Sequence, residues 1–294
     1  MRKFVFAGGT AVVTGAAGGI GAAVAAGLAA RGMDLVLLDR DADRLRDGSA
    51  ALHRDHPGRT VTSHVVDLAD LDAALRFAVA VREEHPRLRL LVNNAGVSLG
   101  GRFDQGTLEE YEGVIDVNFR SMVRLTHTLL PALRAEPGSH LVNVSSLFGL
   151  VAPSHQSAYA ASKFAVRGFT DVLRRELAGE VGVTGIFPGG IRTRIAADAR
   201  IGSGVPPEDV AAAERMWVKV LTIEPEVAAA AIVDGIERRR ARVLIGWSAK
   251  VPDLLARLLP TAHGPLYGAV QGLLKVATDR EIRRDAARGR APVS

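Results

Sequence analysis

The stretch that decides the fold is "VVTGAAGGIGAAV", residues 12–24. An apolar run of strand length enters a cluster of glycines, and an alanine-rich helical pattern leaves it. Gly15, Gly18, Gly19 and Gly21 supply a turn in which backbone can approach a ligand closely. The helix that opens there offers free N–H groups and the positive end of its dipole to an anion. The spacing is G-x-x-x-G-x-G, with Ile20 between the last two glycines, and differs from G-x-G-x-x-G. A glycine turn alone says little. One placed between a strand and a helix, at the head of a β-α-β unit, reads as a phosphate loop.

Outward from this loop the same alternation continues. Strands are expected at 11–14, 34–38, 61–66, 88–92, 140–144, 183–187 and 242–245. Helices are expected at 19–31, 41–56, 70–85, 107–134, 157–180 and 225–238. Strands that are apolar throughout are buried on both faces, which calls for a parallel sheet covered by helices. The strict alternation makes this a doubly wound α/β domain. No repeat, linker or low-complexity segment divides it, so one domain is expected over residues 1–248. Residues 192–224 are irregular, with Gly202, Gly204, Pro206 and Pro207, and are the place for a substrate lid. Residues 249–278 are an apolar extension that prolines should cut into short helices, followed by a basic tail to 294. The extension can cover a pocket, join a subunit interface or lie on a membrane surface.

Composition limits the function. The 294 residues are 48% hydrophobic and 23% charged, the profile of a soluble globular protein. There is no cysteine, which excludes disulfides, thiolate metal sites and cysteine nucleophiles, and suits a reducing cytoplasm. Net charge is +5, with arginines gathered at 238–242 and 280–290. Acidic residues interleave with them and aromatic ones do not, so a solvated face is expected rather than a nucleic-acid site. His140 and His155 have no carboxylate partner in pattern and no metal-ligand spacing. "MRKFVF" at the start faintly suggests an export signal, but Gly8, Gly9, Thr10, Thr14 and Gly15 break the apolar run. Export is not expected, and no run of 18 uncharged apolar residues suggests a membrane span.

The phosphate loop has a partner in Asp39, at the end of the second strand and 18 residues after Gly21. A carboxylate there accepts hydrogen bonds from an adenosine ribose and repels a 2′-phosphate, which favours NAD over NADP. Arg40 pulls the other way, since guanidinium suits phosphate. Asp67 ends the third strand at the same edge, where it can reach an adenine or cap the next helix.

Seven motifs follow in order: "TGAAGGIG" (14–21), "VVDL" (65–68), "NNAG" (93–96), Asn118 in "VIDVNF", "NVSS" (143–146), "YAASK" (159–163) and "PGGIRT" (188–193). On these the chain resembles the classical short-chain dehydrogenase/reductase family over about residues 8–248. The resemblance implies a Rossmann-type sheet of about seven parallel strands, a nicotinamide cofactor and a dimer or tetramer. It implies that Gly15 to Gly21 cradle the pyrophosphate and Asp39 takes the ribose. Asp67 and Leu68 would flank the adenine. Asn94, Ala95 and Gly96 would pass along the cofactor, and Pro188, Gly189, Ile191 and Thr193 would border the nicotinamide, with Ile191 and Thr193 holding its amide. Asn118, Ser146, Tyr159 and Lys163 would form a catalytic tetrad. Ser145 and Ser146 compete for the serine role, and Ser146 stands at the family's separation, 13 residues before Tyr159.

Tyr159 and Lys163 share a helical face. A phenol titrates near 10 unless tuned, and a neighbouring ammonium would lower that value. Ser146 can orient a carbonyl oxygen, and Asn118 can hold a water that relays protons from Lys163 to solvent. The expected function is hydride transfer between NAD(P) and a secondary alcohol or ketone, with a hydrophobic, lipid- or steroid-like substrate if the leucine-rich extension roofs the pocket. The alternative is a catalytically silent NAD-binding sensor or scaffold on the same fold.

Overall fold

Val12 and Val13 adjoin in sequence and are buried in opposite layers, because successive side chains of a strand point to opposite faces. The computed structural model describes residues 3–193, 200–210, 221–262 and 264. In it β1 (Thr10–Thr14) lies inside a seven-stranded parallel sheet. Its other strands are β2 (Asp34–Asp39), β3 (Val61–Val65), β4 (Leu90–Asn93), β6 (His140–Val144), β7 (Gly182–Pro188) and β9 (Arg242–Ile245). The order is β3-β2-β1-β4-β6-β7-β9. A separate parallel pair joins β5 (Leu99–Gly100) to β8 (Arg200–Ile201).

Helices cover both faces. On one, α1 (Gly19–Ala29), α2 (Ala42–Asp55) and α7 (Pro225–Glu237) bury Val24, Leu28, Leu45, Ile232 and Ile236 with Val13. On the other, α3 (Leu71–Glu84), α5 (Ser121–Ala135) and α6 (Ser157–Glu176) bury Phe77, Val81, Leu125, Leu129 and Leu173 with Val12. This is a Rossmann-type fold. Because every strand runs the same way, Thr14, Asp39, Asn93, Val144 and Pro188 finish at one edge of the sheet. That edge, beside the crossing where β1 parts β2 from β4, is where open α/β sheets bind ligands.

Four features depart from the expected elements. The helix expected over 107–134 starts as read, with Thr107 Oγ accepting from Glu110 N–H and the Glu110 carboxylate from Thr107 N–H. It is then interrupted. After α4 (Leu108–Ile115), a π turn spans Asp116–Arg120 before α5 resumes. Second, β3 is an edge strand of the sheet and is unevenly covered: Val61 is buried, whereas Ser63 and Val65 are exposed. Third, the β5–β8 pair ties the segment after β4 to the expected lid region, whose residues 194–199 and 211–220 lie outside the described ones. Fourth, α8 (Trp247–Leu258) runs across the 248/249 boundary and through Pro252. The proline sits early in the helix, where the carbonyl it fails to serve belongs to exposed Ser248 and can be solvated. Residues 265–294, which include the whole basic tail, lie outside the described residues.

His140 is at the opposite end of the sheet from this edge, buried at the start of β6. Its Nε2 is 2.7 Å from Thr184 Oγ, and Thr184 donates at 2.6 Å to the Arg240 carbonyl. Nε2 is therefore the donor to Thr184, and Nδ1 faces Arg239 Nη1 at 3.5 Å. Burial first, and then the Arg239 charge, push the imidazole pKa down to about 3. A histidine buried neutral contributes stability that is present above its unfolded pKa of about 6.5 and lost as pH falls toward 3. His140→Gln is expected to flatten the acid limb of the stability profile over that window, a difference of up to about 4 kcal/mol by pH 3. Denaturant unfolding of both proteins across pH measures it.

Candidate active site

The glycine turn is built by close approach. Gly15 and Gly19 have positive φ, +67° and +53°, which side chains disfavour. A Cβ on Gly21 would stand 2.0 Å from the Gly15 carbonyl oxygen, so α1 can pack on the loop only without one. Gly18 is extended, caps α1 without a side-chain hydrogen bond, and has nothing within 4 Å of where a Cβ would be. The first turn of α1 carries no acidic residue. The N-terminus of α1 is thus uncapped and faces open space, a cradle that fits a pyrophosphate.

Three neighbours fix the cradle. Asn94 Nδ2 donates to the carbonyls of Thr14 and Gly15 at 3.0 and 3.2 Å. The backbone N–H groups of Asn94 and Ala95 both reach Thr14 Oγ at 3.0 Å. Asp39 accepts from Ala17 N–H at 2.9 Å and Asp41 N–H at 3.1 Å. Its carboxylate, with about four acceptor sites, keeps capacity for a diol while holding the loop. Arg40 beside it is exposed. Asp67 accepts from Ala69 N–H at 2.9 Å, and the cap of α3 is Asp70, which accepts from Asp72 and Ala73. The helix-capping option for Asp67 is therefore closed, and Leu68 beside it is buried. From across the site, Thr193 Cγ comes to 3.0 Å of where a Gly19 Cβ would lie, so the segment after β7 closes over the glycine turn.

Tyr159 and Lys163 face the same edge from α6. Both are buried, at 8% and 2% exposure. The Tyr159 hydroxyl is in hydrogen-bonding range of Ser146, whose Oγ also accepts from Phe148 N–H at 3.1 Å. Ser145 points elsewhere and donates to the Lys163 carbonyl at 2.8 Å. The two serines differ in geometry: Ser146 faces the phenol, and Ser145 braces α6. Lys163 Nζ donates to the Val144 carbonyl at 3.1 Å and lies 5.6 Å from the Tyr159 ring centre. Gly96 gives it room, since a Cβ there would come within 3.1 Å of Nζ and 3.2 Å of Asn118 Oδ1.

Asn118, in the π turn, makes three side-chain hydrogen bonds. Its Oδ1 accepts from Val97 N–H at 2.8 Å, and its Nδ2 donates to the Val97 carbonyl and Ser162 Oγ, both at 2.9 Å. Its side chain mimics a strand partner for the segment after β4, with both Nδ2 hydrogens committed to protein acceptors. Ser162 in turn donates to the Tyr159 carbonyl at 2.7 Å. Ser162, which the sequence analysis gave no role, is a buried link between Asn118 and α6.

The electrostatics also differ from expectation. Burial raises the Tyr159 pKa, offset only in part by the Ser146 hydrogen bond. Burial pushes the Lys163 ammonium down to about 8. The expected lowering of the phenol by Lys163 is not the governing effect, because both groups are desolvated.

The family model for short chain dehydrogenases matches residues 9–203. The chain belongs to the short-chain dehydrogenase family. This short-chain dehydrogenase is 39% identical over 268 residues to the putative oxidoreductase SadH of Mycobacterium tuberculosis, covering 90% of this chain and 95% of that one. Among solved structures it resembles a short-chain dehydrogenase/reductase from Burkholderia phymatum in complex with NAD. The TM-score is 0.75 at 27% identity, with 99% of this chain and 98% of that one covered. It also resembles a short-chain dehydrogenase from Sphingobium yanoikuyae in complex with NADPH. There the TM-score is 0.70 at 30% identity, over 90% and 94% of the chains.

One contact in this short-chain dehydrogenase left no trace in sequence. Ser248 Oγ on α8 accepts from Gly190 N–H at 3.1 Å, and a Cβ on Gly189 would lie 2.1 Å from it. The Pro188–Thr193 segment is thus held from α8. Pro188 and Ile191 are buried, and the Ile191 N–H is taken by the Gly189 carbonyl at 3.0 Å. The Ile191 side chain belongs to the core, so only backbone atoms of that residue can meet a ligand.

The two serines separate by substitution. Ser146→Ala is expected to cut turnover about 100-fold or more, with about 1 kcal/mol of stability lost from the Phe148 N–H it no longer caps. Ser145→Ala is expected to cost about 1 kcal/mol of stability, from the buried hydrogen bond to α6 that it removes, with most turnover retained. Steady-state kinetics and chemical unfolding of both variants check this.

Proposed function

We propose that this protein transfers hydride between NAD, in preference to NADP, and a secondary alcohol or ketone of hydrophobic character. One observation carries the reading: a buried phenol within reach of a serine hydroxyl, one helical turn from a buried ammonium, at the same sheet edge as an uncapped glycine turn. The complexes of the two neighbours with NAD and NADPH support a nicotinamide dinucleotide. Gly15, Gly18, Gly19, Ile20 and Gly21 would hold its pyrophosphate, and Asp39 its ribose. Leu68, Asn94, Ala95 and Gly96 would line its path, and the segment from Pro188 to Thr193 would border the nicotinamide. When bound, that ring supplies or accepts the hydride.

The protein's own part is position and proton. Ser146 donates a hydrogen bond to the substrate oxygen and holds it beside Tyr159. In reduction Tyr159 gives that oxygen its proton, and its raised pKa keeps it in the acid form at neutral pH. The Lys163 ammonium stabilises the phenolate as it forms, and Asn118 acts by fixing the loop that backs Lys163. In oxidation Tyr159 takes the proton as the base, and the nearby Lys163 ammonium offsets the cost that burial puts on its phenolate. Leu147, Phe148 and Val151 pack around Tyr159, with Ala256 of α8 against them, which suits an apolar substrate.

Tyr159→Phe is expected to lower turnover by about 1,000-fold, while NADH still binds by fluorescence titration. Tight NADH binding with no turnover of any alcohol or ketone by the unaltered protein would instead mark a sensor. Lys163 is charged below about 8 and neutral above it. The kcat/KM for ketone reduction is therefore expected to be level at lower pH and to fall above about 8, and Lys163→Met should lack that limb. Asp39→Asn keeps an acceptor for Ala17 and removes a charge. It is expected to shift the NAD-to-NADP ratio of kcat/KM about tenfold toward NADP.

A further inference from the structure

Helix α8 is apolar on the wrong side. Its buried positions are Ala249 and Asp253, with Pro252, Leu255 and Ala256 half-buried beside them. Asp253 accepts from Arg242 at 2.9 Å and pairs with Arg257 at 3.1 Å, and the Arg242 guanidinium lies 4.9 Å from the Phe187 ring centre. Its large apolar residues Trp247, Val251, Leu254 and Leu258 are 77, 48, 56 and 67% exposed. They recur at i, i+4, i+7 and i+11, one continuous stripe of a helix. A surface helix ordinarily turns that stripe to the core. Here charge and small residues attach the helix, and the stripe is left for another surface.

Charge says which surface. Residues 249–294 hold eight Lys and Arg against four Asp and Glu, +4 of the chain's net +5. Lys250 is exposed on the same helix, its Nζ 5.4 Å from the Trp247 ring centre. A second copy docking on this face would bring two basic segments together, whereas an anionic lipid surface would neutralise both the helix and the segment that follows it. Among the described residues no helix is long and apolar enough to cross a membrane. We propose that the outer face of α8 docks on an anionic membrane, lying in the interface plane with Trp247, Val251, Leu254 and Leu258 toward the acyl chains.

The test uses the full chain and vesicles of phosphatidylcholine with or without phosphatidylglycerol. The protein is expected to sediment with the anionic vesicles only, and to be released by high salt. In a Trp217→Phe background, Trp247 emission should shift to the blue on binding. Leu254→Glu with Leu258→Glu should weaken binding at least about tenfold. The altered positions are exposed and outside the apolar cluster around Tyr159, so turnover of a soluble substrate should persist. Failure of the unaltered protein to bind anionic vesicles overturns the proposal, as does undiminished binding by the double variant. A chain that ignores vesicles while the double variant dissociates an oligomer would make a second copy the occupant. A chain that binds them only after removal of residues 265–294 would make its own C-terminal segment the occupant. Turnover is read separately, so neither result bears on the oxidoreductase reading.

Discussion

Taking the Lys163 ammonium out of water costs on the order of 3 kcal/mol, by the fall of its pKa from 10.5 to about 8. Much of the site's packing accommodates that one buried cation. The Val144 carbonyl at the end of β6 receives its proton, Ser145 anchors its own carbonyl, and Gly96 leaves the space it occupies. Tyr159 stacks its ring nearby and is itself desolvated by the same packing. The cost is tolerated because the cation sits where negative charge would develop on a neighbouring phenol.

That arrangement depends on strands running in parallel. β1, β4 and β6 end side by side, and the loops leaving them are bonded to one another. Thr14 takes two backbone N–H groups from the β4 loop, and Asn118 takes both backbone groups of Val97. The π turn that carries Asn118 is the local distortion accompanying this pairing. π turns inside α-helices recur at functional sites, where a widened ring re-aims a side chain.

The two ends of the sheet are built from opposite chemistry. At the C-terminal edge, groups are buried with hydrogen-bonding capacity left over, as in Asp39. At the other end, His140, Thr184 and Arg239 form a closed relay ending on the Arg240 carbonyl, and a histidine that attracts notice in sequence proves structural. The outward stripe of α8 belongs to neither chemistry, since its apolar residues serve no part of the core.

The sequence by itself determined the layers, the order of the elements and the glycine turn. Buried strands must be apolar on both faces, and only glycine tolerates the positive φ and close approaches of the turn. Helix starts at Asp41, Asp70 and Thr107 were legible for the same reason: a capping side chain bonds within three residues of itself. Only tertiary structure decided which serine faces Tyr159, that Asn118 spends its side chain on Val97, that burial outweighs Lys163 in setting the phenol's pKa, and that Ser248 holds Gly190. Each of these joins residues far apart in the chain. The energy of such a contact depends on desolvation and on angles that exist only after packing, and residue spacing carries no record of either.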